Sequence, residues 1–75
     1  MKNSQVAQRL NEIASLMEFD GEPFFKIKAY ERAARSLEDA QTPAEALINS
    51  GELAELPGIG KAISQKIADL SLIHI

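Results

Sequence analysis

The chain has no cysteine and no tryptophan, and only one histidine and one tyrosine in 75 residues. Without cysteine there is neither a disulfide nor a thiolate metal site. The fold must rest on packing, and a reducing cytoplasm is compatible. The lone histidine, His74, supplies one nitrogen donor, too little for a metal site. No apolar run approaches the ~20 residues that span a bilayer. The start, Met1-Lys2-Asn3-Ser4-Gln5, lacks the apolar stretch of a signal peptide. No membrane partner is expected, and a cytoplasmic monomer is. Strand-like alternation, repeats of solenoid length and low-complexity tracts are all missing. What remains is one small helical domain, and a chain this short buries only about 60% of its extended surface.

The net charge of −3 argues by itself against a nucleic-acid partner. Its distribution argues the other way. Residues 24–36 hold Lys26, Lys28, Arg32 and Arg35 against Glu31 alone, and no acid lies between Leu56 and Ala68, where Lys61 and Lys66 sit. Lys28, Arg32 and Arg35 recur at spacings of four and three, which makes a basic stripe on one helical face. The alternative is a solvated face held by Glu31–Arg35 and Arg35–Asp39 pairs.

Periodicity predicts an all-α fold, a compact bundle of four to five short helices. The first runs from Ser4 to about Glu18, capped by Asn3 or Ser4, with Val6, Leu10, Ile13 and Met17 facing inward. Gly21 and Pro23 then break the chain. Phe19, Phe24 and Phe25 crowd this break, and at least two are expected to anchor the core; an exposed Phe25 would instead be free to stack on an unpaired base. The second helix runs from Phe24 to about Ala40, with Ile27, Tyr30, Ala34 and Leu37 inward. Thr42-Pro43-Ala44-Glu45 has the form of a capping box opening a short third helix, which Gly51 closes in a left-handed conformation. Glu52 to Leu56 is one or two further helical turns, stopped by Pro57. Lys61 opens the last helix, with Ile59, Ile63, Ile67 and Leu70 inward and Lys66 off that face.

The chain is organised around Leu56-Pro57-Gly58-Ile59-Gly60-Lys61-Ala62-Ile63. Two glycines flank one apolar residue and lead straight into a helix, so the amides of Gly60, Lys61 and Ala62 can point outward together. A helix N-terminus with a glycine approach is a ready site for a phosphate. The alternative is a tight loop between packed helices, with Ile59 plugging the core.

This stretch resembles the hairpin of the helix-hairpin-helix motif, which grips a nucleic-acid backbone through hairpin amides without reading bases. The resemblance widens with Asn11-Glu12-Ile13-Ala14, with Gly21-Glu22-Pro23-Phe24-Phe25-Lys26-Ile27-Lys28-Ala29-Tyr30-Glu31-Arg32-Ala33-Ala34-Arg35, and with Gly51-Glu52-Leu53-Ala54-Glu55-Leu56. Together they are similar to the N-terminal domain of family X DNA polymerases, the polymerase beta-like repair enzymes of bacteria and archaea. The similarity covers roughly residues 5–69, with the helix-hairpin-helix at about 52–69 of a domain spanning 1–69. It implies a DNA-binding domain on the 5′-phosphate side of gapped or nicked DNA, with Lys26 and Tyr30 near the 5′ end. It also implies backbone contacts from Gly58, Ile59, Gly60, Lys61 and Ala62, beside the stripe of Lys28, Arg32 and Arg35. Lys66 falls where animal relatives carry a lyase nucleophile, which forms a Schiff base with a 5′-deoxyribose phosphate and expels the sugar phosphate by β-elimination. Such a lysine attacks in its neutral form.

Two positions depart from the lyase pattern. Ala62 replaces a lysine, and Phe25 replaces a histidine. Fewer cations mean weaker phosphate binding and less help in neutralising Lys66. The resemblance implies no cofactor here beyond a monovalent cation at the hairpin carbonyls. Divalent metals belong to a polymerase domain outside this sequence, so the expected partner in cis is the remainder of a larger polymerase. Leu70-Ser71-Leu72-Ile73-His74-Ile75 breaks the style of the helix and resembles the translation of a transposon-end sequencing adapter, so residues 70–75 are expected to be a foreign tail. Two other functions stay open. One is a lyase acting through Lys66, and the other is a helical protein-interaction module with a purely structural hairpin.

Overall fold

Helix α1 (Asn3–Phe19) and helix α2 (Phe24–Asp39) pack along each other and supply most of the helical residues. A computed structural model describes residues 2–73, and their side chains as far as Leu70. Alanine dominates the seam between the two helices: Ala7 and Ala14 on α1, Ala33 and Ala34 on α2, all 2% exposed or less. Small side chains let two backbones approach closely. The inward stripe of α1 is therefore Val6, Ala7, Leu10 and Ala14, turned toward its alanine edge. Ile13 and Met17, expected at the centre of the stripe, are only half-buried.

The same close seam explains the largest departure from expectation. Phe19, Phe24 and Phe25 are 90%, 71% and 71% exposed, so none anchors the core. The α1–α2 turn carries them beyond the end of the alanine seam. Gly21, at φ 78°, closes α1 there. The Glu22 amide donates to the Met17 carbonyl and the Gly21 amide to that of Glu18, the paired bonds of a Schellman motif. Phe19→Ser and Phe25→Ser are accordingly expected to change the unfolding free energy by no more than about 0.5 kcal/mol. A urea titration that showed a loss of several kcal/mol would place these rings in the core after all.

Helix α3 (Ala44–Ser50) is short and closes as expected, with Gly51 at φ 77°. Its start differs. No Thr42 side-chain cap forms; the cap comes from the far end of the sequence. Asn3, inside the first turn of α1 rather than capping it, accepts a hydrogen bond from the Ala44 amide at 2.7 Å. Its amide nitrogen donates to the carbonyls of Leu37 (3.2 Å) and Thr42 (2.9 Å). One side chain thus ties the start of α1 to the end of α2 and to the start of α3. Removing it strands a part-buried donor, which costs about 1–3 kcal/mol. Asn3→Ala should show a loss of that size by urea denaturation, and Asn3→Asp, which keeps the acceptor, should recover part of it.

A single 3₁₀ turn (Leu53–Glu55) stands where one or two helical turns were expected, and helix α4 (Lys61–Ile73) follows the hairpin. Leu53, Ile59, Ile63 and Ile67 are buried against Leu10, Leu37 and Leu47 in one core. The spacing of four along Ile59, Ile63 and Ile67 keeps these side chains on one face, as expected. The α4 backbone continues from Leu70 to Ile73 without a break. The foreign-tail expectation otherwise concerns residues 74 and 75 and the side chains from 71 onward, which lie outside the described residues. The fold is all-α: four α-helices and no strand among the described residues.

Candidate nucleic-acid interface

Between the 3₁₀ turn and α4 the chain makes a β-turn over Leu56–Ile59. The Ile59 amide donates to the Leu56 carbonyl at 3.1 Å, and Gly58 sits at φ 80°. Proline at the second position and a left-handed glycine at the third are the signature of a type II turn. Ile59 then drops its side chain into the core at 3% exposure, pinning the loop from below. That pinning leaves Gly58, Gly60, Lys61 and Ala62 exposed around it.

The amides divide into two sets. The Ile59 amide is consumed by the turn, so of the expected hairpin contacts it alone has no free donor. Ser64, the first fully bonded residue of α4, donates to the Gly60 carbonyl at 2.9 Å. Among the described residues, the amides of Gly60, Lys61, Ala62 and Ile63 meet no acceptor. These are the orphan donors of a helix N-terminus, where the backbone dipoles also place partial positive charge. No acid lies in the first turn of α4 to satisfy or neutralise them.

Helix α2 fixes the hairpin from one side. The Ser36 hydroxyl donates to the Pro57 carbonyl. Arg32, one turn earlier, lays its aliphatic stem over Gly58: a methyl group on Gly58 would stand 2.5 Å from Arg32 Cγ and 2.8 Å from Cδ. Gly58 is therefore required twice, by its backbone angle and by this close approach. Gly60 is different. It has no positive φ, and a methyl group there would meet nothing within 4 Å. Ser36 did not stand out in the sequence, and Asn3 did so only as a cap for the first helix. Ser36 differs from any other helical serine only in lying four residues after Arg32.

The basic stripe splits on folding. Lys26 pairs with Glu22 at 3.8 Å. Lys28 pairs with Glu31 at 3.3 Å and lies 5.1 Å over the Phe24 ring. The Glu31–Arg35 and Arg35–Asp39 pairs of the alternative reading do not form among the described residues. Arg32 and Arg35, exposed and without a carboxylate partner among the described residues, face the hairpin side. Lys26 and Lys28 belong to the opposite end of α2, with Tyr30 half-buried against the core. Lys61 is exposed at the first position of α4, and Lys66 is exposed further along it. Three hairpin carbonyls, those of Leu56, Pro57 and Gly60, already accept hydrogen bonds. No cluster of His, Asp and Glu suited to a metal ion occurs among the described residues, and no helix there is long and apolar enough to cross a membrane.

A glycine turn plugged by a core isoleucine thus feeds a helix whose first amides meet no acceptor among the described residues. The model of the helix-hairpin-helix domain family matches residues 1–71. The chain is a helix-hairpin-helix domain. Neither a curated protein nor a solved structure matches it. Helix-hairpin-helix domains bind nucleic acid, commonly DNA, and the family gives this chain that general function. In this helix-hairpin-helix domain the first arm is the 3₁₀ turn, the hairpin is Leu56–Gly60, and the second arm is α4.

Proposed function

We propose that the domain holds the sugar-phosphate backbone of DNA at the hairpin. The observation that carries this is the row of unsatisfied amides from Gly60 to Ile63, with exposed Lys61 among them and no acid in the first helical turn. Phosphate oxygens accept from such amides, and the contacts carry no base information. Affinity should therefore be nearly independent of sequence and steeply dependent on salt.

The finer reading is the N-terminal domain of a family X repair polymerase, bound at the 5′-phosphate side of a gap. Its support is the segment from Gly21 to Arg35 taken together with the hairpin. On this reading a monovalent cation at the hairpin would draw on the Gly58 and Ile59 carbonyls. Two gapped duplexes that differ only in the 5′-phosphate test the finer reading. Tighter binding to the phosphorylated gap, fading with salt, supports it; equal binding leaves a general backbone binder.

Schiff-base chemistry at Lys66 would extend this function to catalysis. Lys66 is exposed, so burial does not strip water from its ammonium group. The expected result of borohydride treatment with an incised abasic duplex is therefore no trapped adduct above that of Lys66→Ala. A strong adduct lost in Lys66→Ala would establish the lyase. An interaction module is the second reading. The observation favouring it is the exposure of Leu16, Phe19, Phe24 and Phe25 near one turn.

A further inference from the structure

A cleft of about 330 Å³ runs between α2 and the hairpin, walled by Arg32, Arg35, Ser36 and Asp39 on one side and by Leu56 and Pro57 on the other. It is continuous with the hairpin, because Pro57 is shared and the Arg32 stem lies on Gly58. The Ser36 bond to the Pro57 carbonyl holds the two walls together. Arg32 and Arg35 face this space with no carboxylate in ion-pair range among the described residues, although acids stand within one turn of both. Glu31 is engaged by Lys28 at 3.3 Å, which leaves the guanidinium groups without that partner. A guanidinium carries five donors in a planar fork suited to phosphate oxygens.

We propose that this cleft is a second phosphate subsite, and that it takes a phosphate of the same strand next to the one held by the hairpin amides. The proposal rests on the nucleic-acid reading of the hairpin and adds to it a direction and a boundary. Arg32 fixes the near edge. Asp39, seven residues later and so about 10 Å further along α2, sets the far edge by repelling the backbone. Arg32 has two functions: its stem seats Gly58, and its charge extends the grip beyond the helix terminus. Charge therefore acts with opposite sign at the two ends of the cleft, which a merely structural role for these side chains would not produce.

The test is a fluorescence titration of the 75-residue chain with a gapped duplex across a salt series, comparing wild type with Arg32→Gln/Arg35→Gln, Arg35→Gln alone and Asp39→Asn. Glutamine keeps part of each stem and removes the charge, and circular dichroism checks the fold. Loss of one phosphate contact should reduce the magnitude of the log K against log salt slope by about 1 in the double variant. Asp39→Asn should tighten binding at low salt. Neutral methylphosphonates walked along the strand should reveal one position that weakens wild type and leaves the double variant unchanged. A double variant with the wild-type slope and the wild-type methylphosphonate profile overturns the subsite while leaving the hairpin reading intact. Should the double variant fail to fold, the same two readouts on Arg35→Gln decide the matter. No salt-dependent binding by wild type overturns both.

Discussion

Gly58→Ala should destabilise the domain by roughly 2–3 kcal/mol and weaken DNA binding at the same time. Two terms add. An alanine at φ 80° is held in a left-handed conformation, which costs about 1–2 kcal/mol. Its methyl group would also stand 2.5 Å from Arg32 Cγ. That atom is close to the α2 backbone, so relief requires the hairpin to lift away from α2. A domain of this size has only about 4–11 kcal/mol in total, and lifting the hairpin also disturbs the seat of Ile59 and the aim of the amides after Gly60. Two controls separate the terms. Gly51 has almost the same angle, φ 77°, with open space where a methyl group would go, so Gly51→Ala should show the backbone cost alone. Gly60→Ala has neither penalty and should be near neutral in urea denaturation. Equal losses at Gly51 and Gly58 would mean that the Arg32 contact contributes nothing.

Ile67→Ala should be the most damaging single truncation, with a loss of about 2–5 kcal/mol. Ile67 is 0% exposed and lies in the cluster that joins α1, α2, α3 and α4. α4 has few other large anchors: Ile63 is buried and Leu70 is half-buried. The cavity would therefore open where the second arm of the hairpin motif is held to the rest of the domain. The expected readout is a urea midpoint shifted far down, with part of the population unfolded in buffer at the upper end of the range. DNA binding should fall in proportion to the folded fraction and no further, because Ile67 is fully buried and offers no group to a phosphate. A binding loss well beyond the unfolded fraction would show that the position of α4 tunes the amides directly.

These two positions also show what the sequence could reveal. Gly58 and Ile67 were legible because each obeys a local rule: a proline–glycine turn, and an apolar residue every four along one helical face. Gly51 was legible for the same reason. The aromatic residues were not, because their burial depends on how closely α1 and α2 approach, and the alanines that set the distance sit elsewhere in the sequence. Asn3 reads locally as a cap for α1; its partners at Leu37, Thr42 and Ala44 are brought to it only by the fold. The basic stripe was legible as a stripe. Which of its members stay free depended in part on the pair Lys28–Glu31, three residues apart, which takes the carboxylate that a Glu31–Arg35 pair would need. Of the stripe, the proposed interface draws on Arg32 and Arg35, beside Lys61.

The most direct test of the central claim is the salt dependence of binding by the wild-type chain. Affinity for a gapped duplex would be measured by fluorescence at several salt concentrations and repeated with an unrelated base sequence. Lys61, Lys66, Arg32 and Arg35 are four exposed cations without carboxylate partners among the described residues. About four phosphate contacts give a log K against log salt slope of roughly −3 to −4, the same for both sequences. A slope near zero from a folded chain, or no binding at low salt, would contradict a backbone grip at the hairpin.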